Sequence, residues 1–230
     1  MGILDSNHFG RKSFELGPWL GFYSLVTLWA SLTERVVGTL IGISILYWSF
    51  LGYDKISVAE DFSIVRLFIL VINATVGALF LFRDPVEDTT KFSDKFLVML
   101  SLAGGGLALQ HSGNPTDWPL FATWGFAIGF SITLSSLICL GKSFAILPAK
   151  RTLVTKGPYF WVRHPVYLGE LIMVASLCFA KPTWMSVFLF VSILAMIVMR
   201  IRIEENILSK GTHYASYAEK VRFRILPCIW

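Results

Sequence analysis

Seven apolar runs, separated by short polar segments, dominate the pattern of the chain. They occupy roughly 16–32, 36–53, 64–82, 96–110, 118–140, 166–180 and 184–199. A transmembrane helix needs about 20 consecutive apolar residues, and each run reaches or approaches that length. The pattern therefore predicts an all-α fold, a polytopic integral membrane helical bundle with six to seven spans.

Two features of the first four runs leave the number of spans at six to seven. Only Thr33-Glu34-Arg35 separates the first pair, so these runs either form a tight helical hairpin or one of them lies along the membrane interface. The fourth run is short and contains Gly104-Gly105-Gly106, which weakens a lone helix but lets a neighbouring helix approach closely.

The segment 200–230 differs from the runs before it, because isoleucine, leucine and tyrosine are interspersed there with Glu, Lys and Arg. It predicts a cytosolic C-terminal helical tail, in which a helix continues from the last span and a shorter element folds back over the membrane surface. No repeat or low-complexity linker divides the chain. We therefore distinguish only the N-terminal spans, 1–140, from the region 141–230 that carries the candidate chemistry.

Lys and Arg are concentrated in three segments, with five in 141–164, six from Arg200 onward and three in 83–95. Cytoplasmic loops of membrane proteins carry an excess of these residues. If the chain crosses the membrane once in each apolar run, all three segments lie on the cytoplasmic side. This places the C-terminus inside and, with seven spans, the N-terminus outside.

Composition supports the membrane assignment and excludes an ordinary soluble domain. The 230-residue chain is 55% hydrophobic and 15% charged, with a mean hydropathy of +0.65. Its net charge of +5 would suit nucleic-acid binding in a soluble protein, but the basic residues lie mainly at the ends of apolar runs. We therefore expect the lipid bilayer, and no nucleic acid, as a partner. The cysteines and histidines show no metal-ligand spacing, so no metal site is expected.

The segment 150–170 is the first candidate for chemistry, because basic, aromatic and turn-forming residues alternate there between two apolar runs. Gly157-Pro158-Tyr159 indicates a turn, and Pro165 suits the first turn of the following helix, whose free N–H groups favour an anionic ligand. Arg163 and His164 could instead be interfacial anchors, and the aromatic residues could belong to a membrane-surface belt. Glu170 lies one turn into an apolar helix, so we expect it to face the bundle.

The second candidate is the end of the last span. Arg200 and Glu204 are four residues apart, so they project from one helix face and could line a pocket together, whereas Arg202 points elsewhere. An ordinary surface pair at this spacing is the alternative. No Gly-rich phosphate loop, dinucleotide-binding fingerprint or paired histidine accompanies these segments.

Taken together, the two segments resemble the isoprenylcysteine carboxyl methyltransferase family and, more loosely, the phosphatidylethanolamine N-methyltransferases, which are membrane enzymes that use S-adenosylmethionine. The resemblance covers about the last 90 residues of the chain. Its most specific part is the stretch Leu153-Val-Thr-Lys-Gly-Pro-Tyr-Phe-Trp-Val-Arg-His-Pro-Val-Tyr-Leu-Gly. The supporting residues are Arg200 to Glu205, Tyr214 with Tyr217, and the closing Leu226-Pro-Cys-Ile-Trp.

The resemblance implies a cofactor site for S-adenosyl-L-methionine and a role for each matching residue. The implied cofactor-binding residues are Arg151, Thr152, Leu153, Val154, Tyr159, His164, Pro165, Val166, Tyr167 and Glu204. Arg200 is implied to face the methyl acceptor, which makes Arg200 and Glu204 the expected catalytic residues. The region 141–230 would then hold the cofactor, and the spans in 1–140 would set acceptor specificity.

The expected function is methyl transfer from S-adenosylmethionine to a small or lipid-like acceptor at the membrane, either a carboxylate, a thiol or an amine. A carboxylate or thiolate needs no general base, whereas Glu170 or Glu205 could serve an amine or hydroxyl. Leu168-Gly169-Glu170 is more similar to prokaryotic relatives, so a prokaryotic inner membrane is expected, with the active site facing the cytoplasm. A membrane reductase of the sterol-reductase type, using NADPH, and a non-enzymatic scaffold are the alternatives.

Overall fold

A computed structural model describes residues 35–47, 49–51, 63–82, 92–144, 153–210 and 213–226 of the chain. Within these ranges the regular structure is helical and no strand occurs. The helices are α1 (Arg35–Leu51), α2 (Ile64–Phe82), α3 (Phe92–His111), α4 (Leu120–Leu140), α5 (Pro165–Ala180), α6 (Trp184–Leu208) and α7 (Tyr214–Lys220). Short 3-10 helices occur at Pro115–Asp117, Gly141–Ser143 and Gly157–Phe160.

Three helical segments in the described part of the chain are long and apolar enough to cross a membrane. They are Ile64–Phe82, Leu120–Ser143 and Trp184–Leu208, and the apolar helices α1 and α5 are shorter. The all-α class is thus confirmed for the described residues. The number of six to seven spans and the cytosolic position of the tail stay predictions, and the apolar run 16–32 lies outside the described residues.

The ends of α5 and α6 follow from local sequence. Pro165 is the first residue of α5, where its missing N–H removes no helical hydrogen bond. Thr183 caps α6 by accepting a hydrogen bond from the Ser186 backbone N–H at 3.2 Å. At its other end α6 continues past the apolar run to Leu208, and α7 follows, as expected for the helical tail.

Small residues let α4 and α5 pack very closely. A Cβ atom built on Gly169 of α5 would lie 2.6 Å from the Gly129 carbonyl oxygen and 2.8 Å from the Thr133 backbone nitrogen, both on α4. One turn further along, a Cβ on Gly125 would lie 2.6 Å from Ser176 Oγ. Glycine at these positions brings the two backbones together, a common mode of helix association in membranes.

We expect Gly169→Ala to destabilise the bundle, because the added methyl group would press on the backbone of α4 rather than on a movable side chain. Overpacking of this kind typically costs about 1–3 kcal/mol. The measurement is the free energy of unfolding in detergent. Gly106→Ala on α3 is the matched control, since nothing lies within 4 Å of the Cβ position there. Equal stability of the two variants would contradict the close contact of α4 with α5.

The helices α2, α3 and α6 pack around the pair formed by α4 and α5. On α6, the side chains of Ile193, Ile197 and Ile201 are completely buried, and α3 packs over this stripe. On α2, Phe68 stacks on Phe130 of α4 with a centroid distance of 4.2 Å. The helices α2, α4, α5 and α6 therefore surround a common interior space.

Candidate active site

A cavity of about 340 Å³ lies within this space. At one end it is lined by residues from the loop before α5, the end of α6 and α7, including Tyr159, Leu208 and Tyr217. At the other end it reaches between the middle parts of α2, α4 and α5, at Asn73, Thr133 and Met173. Most of the lining side chains are aliphatic or aromatic, so the charged groups in the wall stand in apolar surroundings.

Most of the site residues expected from the sequence lie at this cavity. Those that line it are Leu153, Val154, Tyr159, His164, Val166, Tyr167, Arg200 and Glu204. Pro165 is fully buried and begins α5, but it is not part of the lining. Arg151 and Thr152 lie outside the described residues. The geometry brings the two motifs together, and the roles of their residues stay predictions.

Glu204 connects α6 with the start of α5. Its side chain is buried, and its Oε2 accepts a hydrogen bond from the Tyr167 hydroxyl at 3.2 Å. The same oxygen lies 3.8 Å from Nδ1 of His164, whose ring stacks on that of Tyr167 at a centroid distance of 5.7 Å. The carboxylate is therefore held in one orientation at the cavity wall.

Glu205, the next residue, serves a different purpose. It forms ion pairs with Arg163 at 3.2 Å and with Arg224 at 2.7 Å, and its Oε1 lies 3.4 Å from Nε2 of His164. Glu205 does not line the cavity. It ties α6 to the loop before α5 and to the segment after α7, so it is a structural junction and a poor candidate for the general base.

The C-terminal segment fixes the loop that carries Arg163 and His164. The backbone N–H groups of these two residues donate to the carbonyl oxygens of Phe223 at 2.9 Å and Arg224 at 2.8 Å. In α7, the Tyr217 hydroxyl donates to the Tyr159 carbonyl oxygen at 2.7 Å. Burial, partly offset by the nearby charge of Arg163, raises the pKa of Tyr217 to about 12, so the phenol keeps its proton and remains a donor.

Arg200 extends into the cavity from α6 and is 6% exposed. Its Nη1 donates to Ser101 Oγ at 3.3 Å and lies 3.9 Å from Oε2 of Glu170. The guanidinium also lies over the Tyr167 ring, 4.9 Å from the centroid. Its Nε is buried and has no hydrogen-bond partner. The edge formed by Nε and Nη2 makes no hydrogen bond with the described residues, and it is one of the edges through which a guanidinium binds a carboxylate in a bidentate manner.

The pattern on α6 agrees with the expectation from spacing. Arg200 and Glu204 are buried and line the cavity, whereas Arg202 is exposed. Glu170 also faces the bundle, as expected, and lines the cavity beside Arg200. The two acidic residues proposed as general bases are thereby distinguished, because only Glu170 is in contact with the cavity.

Sequence reasoning did not place several lining residues in the site. On composition alone, Arg163 was better explained as an interfacial anchor, and Tyr214 and Tyr217 were supporting matches without an assigned role. Asn73 and Thr133 lie in apolar runs far from either motif. A lone amide in the middle of the run 64–82 was the available signal for Asn73, since a polar side chain within a membrane helix is unfavourable unless it faces protein or water.

Comparison with known proteins shows which family this part of the chain is similar to. The phospholipid methyltransferase family matches residues 119–215, from the start of α4 into α7. No curated protein matches the chain. The family match confirms the resemblance drawn from the motifs and indicates a membrane methyltransferase. The matched residues include both the loop before α5 and the end of α6, which meet at the cavity.

Proposed function

We propose that this protein transfers a methyl group from S-adenosylmethionine to a small or lipid-like acceptor at the membrane. One observation carries the proposal. The two motifs that resemble membrane methyltransferases are about 35 residues apart in the chain and line a single cavity, and both lie within the matched residues 119–215. An accidental sequence resemblance would not require His164, Tyr167, Arg200 and Glu204 to face the same space.

The residues at the loop end of the cavity fit such a cofactor by their chemistry. Arg163 lines the cavity, and its Nε is buried without a hydrogen-bond partner, so it could donate to the cofactor's carboxylate. The Glu204 carboxylate could accept hydrogen bonds from hydroxyl or ammonium groups. Tyr159, Tyr214 and the aliphatic residues Leu153 and Val154 offer apolar surface for the adenine ring.

The protein's contribution to the reaction is binding, alignment and exclusion of water. When bound, S-adenosylmethionine supplies a methyl group on a positively charged sulfur, which is already a good electrophile. Arg200 would orient the acceptor through the edge formed by Nε and Nη2, and Ser101 and Glu170 would hold the opposite side of the guanidinium. Alignment of two reactants in a dry cavity can supply a large part of the rate enhancement.

The arrangement around Arg200 favours an acceptor with a planar anionic group. A carboxylate matches the edge formed by Nε and Nη2 with two parallel hydrogen bonds. It would receive the methyl group on an oxygen, the bond from carbon to sulfur would break with its electron pair left on sulfur, and no proton would be released. An amine would release one proton, which Glu170 could accept. A thiolate needs no base, as with a carboxylate.

The proposal is tested by transfer of labelled methyl groups. The purified protein in detergent is incubated with S-adenosylmethionine, labelled in the methyl group, and an extract of membrane lipids. We expect label in material that partitions into organic solvent, and base hydrolysis then releases labelled methanol if the product is a methyl ester. Label that resists hydrolysis would indicate methylation of nitrogen or sulfur instead. Absence of transfer to any lipid fraction or to added carboxylate amphiphiles would contradict the proposed function.

A further inference from the structure

Asn73 is a polar residue at the centre of a helix that is otherwise suited to cross the membrane. It is the middle residue of α2, which runs from Ile64 to Phe82 and is the most hydropathic of the candidate spans. Within the described part of the chain its amide makes no hydrogen bond. Thr75, two residues later, instead donates its hydroxyl proton to the Val71 carbonyl oxygen at 2.7 Å. Unlike the Thr75 hydroxyl, the Asn73 amide therefore makes no hydrogen bond within its own helix.

Asn73 lines the cavity at the depth of Arg200 and Glu170. Phe68 stacks on Phe130, and both helices run in the same direction, since Phe80 at the end of α2 meets Phe144 just after α4. Asn73 is five residues beyond Phe68 on α2, and Thr133 is three residues beyond Phe130 on α4. Because each residue of a helix adds 1.5 Å along its axis, the two residues differ in depth by only about 3 Å. Both line the cavity.

The same depth is reached from the other side of the cavity. Thr133 packs directly against Gly169, and the next residue, Glu170, pairs with Arg200 at 3.9 Å. Asn73 therefore faces the groups that are proposed to hold the acceptor and not those at the cofactor end. Asn73 is exposed and lines the cavity, so a ligand there could contact its side chain.

We propose that Asn73 recognises a second hydrogen-bonding group of the acceptor, adjacent to the anionic group that Arg200 orients. The inference rests on the proposed function and adds a specificity-determining residue from α2, which lies outside the matched residues 119–215. The substrate class is an amphiphile whose compact head carries an amide or hydroxyl next to a carboxylate. The aliphatic walls at Ile45, Val76, Leu102 and Leu137 suit its apolar tail.

The chemistry of the amide supports this assignment over a simple apolar contact. An asparagine side chain offers both a donor and an acceptor, so it can pair with an amide or a hydroxyl in either direction. In apolar surroundings an acceptor that lacks this group would leave the Asn73 amide unpaired. A ligand that fills the cavity also keeps water away from this amide, so the site discriminates against an acceptor without the second group, because a polar group that is shielded from water and unpaired is unfavourable.

Two probes of equal chain length test the inference. N-dodecanoylglycine and pentadecanoic acid both end in a carboxylate, but only the first has an amide beside it. Their affinities are measured in detergent with S-adenosylmethionine present. We expect the protein to prefer N-dodecanoylglycine by about 5- to 10-fold, the effect of one hydrogen bond. Asn73→Leu and Asn73→Ala should lose this preference and keep their affinity for pentadecanoic acid.

Thr75→Val is the matched control, because it removes a polar group from the same helix that is already bonded within α2. It should keep the preference. The affinity for S-adenosylmethionine alone is measured on the same preparations. If the unaltered protein does not bind S-adenosylmethionine, the proposed function fails. If S-adenosylmethionine binds but N-dodecanoylglycine does not, or if either Asn73 variant retains the preference for N-dodecanoylglycine, the proposed function stands and the role of Asn73 is overturned.

Discussion

Arg200→Lys is expected to reduce turnover by about 30- to 1000-fold while the affinity for S-adenosylmethionine changes little. Lysine keeps the charge and the helix propensity but cannot reproduce the planar fork formed by Nε and Nη2. Loss of one charge-assisted contact to the reacting group typically removes about 2–4 kcal/mol of transition-state stabilisation. The measurement is the initial rate of methyl transfer at saturating cofactor, together with a separate titration of the cofactor.

The control for this variant is Arg202→Lys, two residues further along the same helix. Arg202 is exposed, so its replacement should leave the rate close to that of the unaltered protein. A structural role for Arg200 at the membrane surface would be served equally well by lysine. Near-normal turnover in Arg200→Lys would therefore support that role and exclude Arg200 from acceptor binding.

Glu204→Gln is expected to weaken the binding of S-adenosylmethionine by about 10- to 100-fold. The substitution preserves shape, and the amide oxygen can still accept the hydrogen bond from Tyr167. It removes the negative charge that would pair with the positively charged groups of the cofactor. Hydrogen bonds to charged groups contribute roughly 1.5–3 kcal/mol, which corresponds to this range. Calorimetric titration of the cofactor measures the effect.

Glu219→Gln provides the comparison for charge alone, since Glu219 lies exposed on α7. It should bind the cofactor as the unaltered protein does. Both variants should unfold at similar denaturant concentrations, which separates loss of a ligand contact from loss of the fold. If Glu204→Gln retains full affinity, Glu204 does not hold the cofactor and the site must be moved away from this end of the cavity.

The helices and the position of Arg200 and Glu204 on one helix face could be predicted because both depend on local spacing. Hydrophobic runs set the bounds of α2, α4 and α5, and the start of α6, to within a few residues. A separation of four residues on a helix places two side chains on the same face, whatever the helix packs against. The turn at Gly157 likewise follows from its neighbours, and its backbone has a positive φ of 60°.

The contacts that complete the site depend on packing between distant segments and could not be predicted in this way. Ser101 and Arg200 are 99 residues apart and meet only because α3 packs on α6. The position of Asn73 opposite Arg200 depends on the register of α2 against α4. No periodicity within a single segment contains this information.

Calorimetric titration of the purified protein with S-adenosylmethionine and, separately, with NADPH shows which of these two molecules the cavity binds. We expect saturable binding of S-adenosylmethionine, weakened in His164→Ala and Tyr159→Ala with the fold retained, and no binding of NADPH. If the protein binds NADPH and does not bind S-adenosylmethionine, the methyltransferase assignment is wrong and the reductase alternative is favoured.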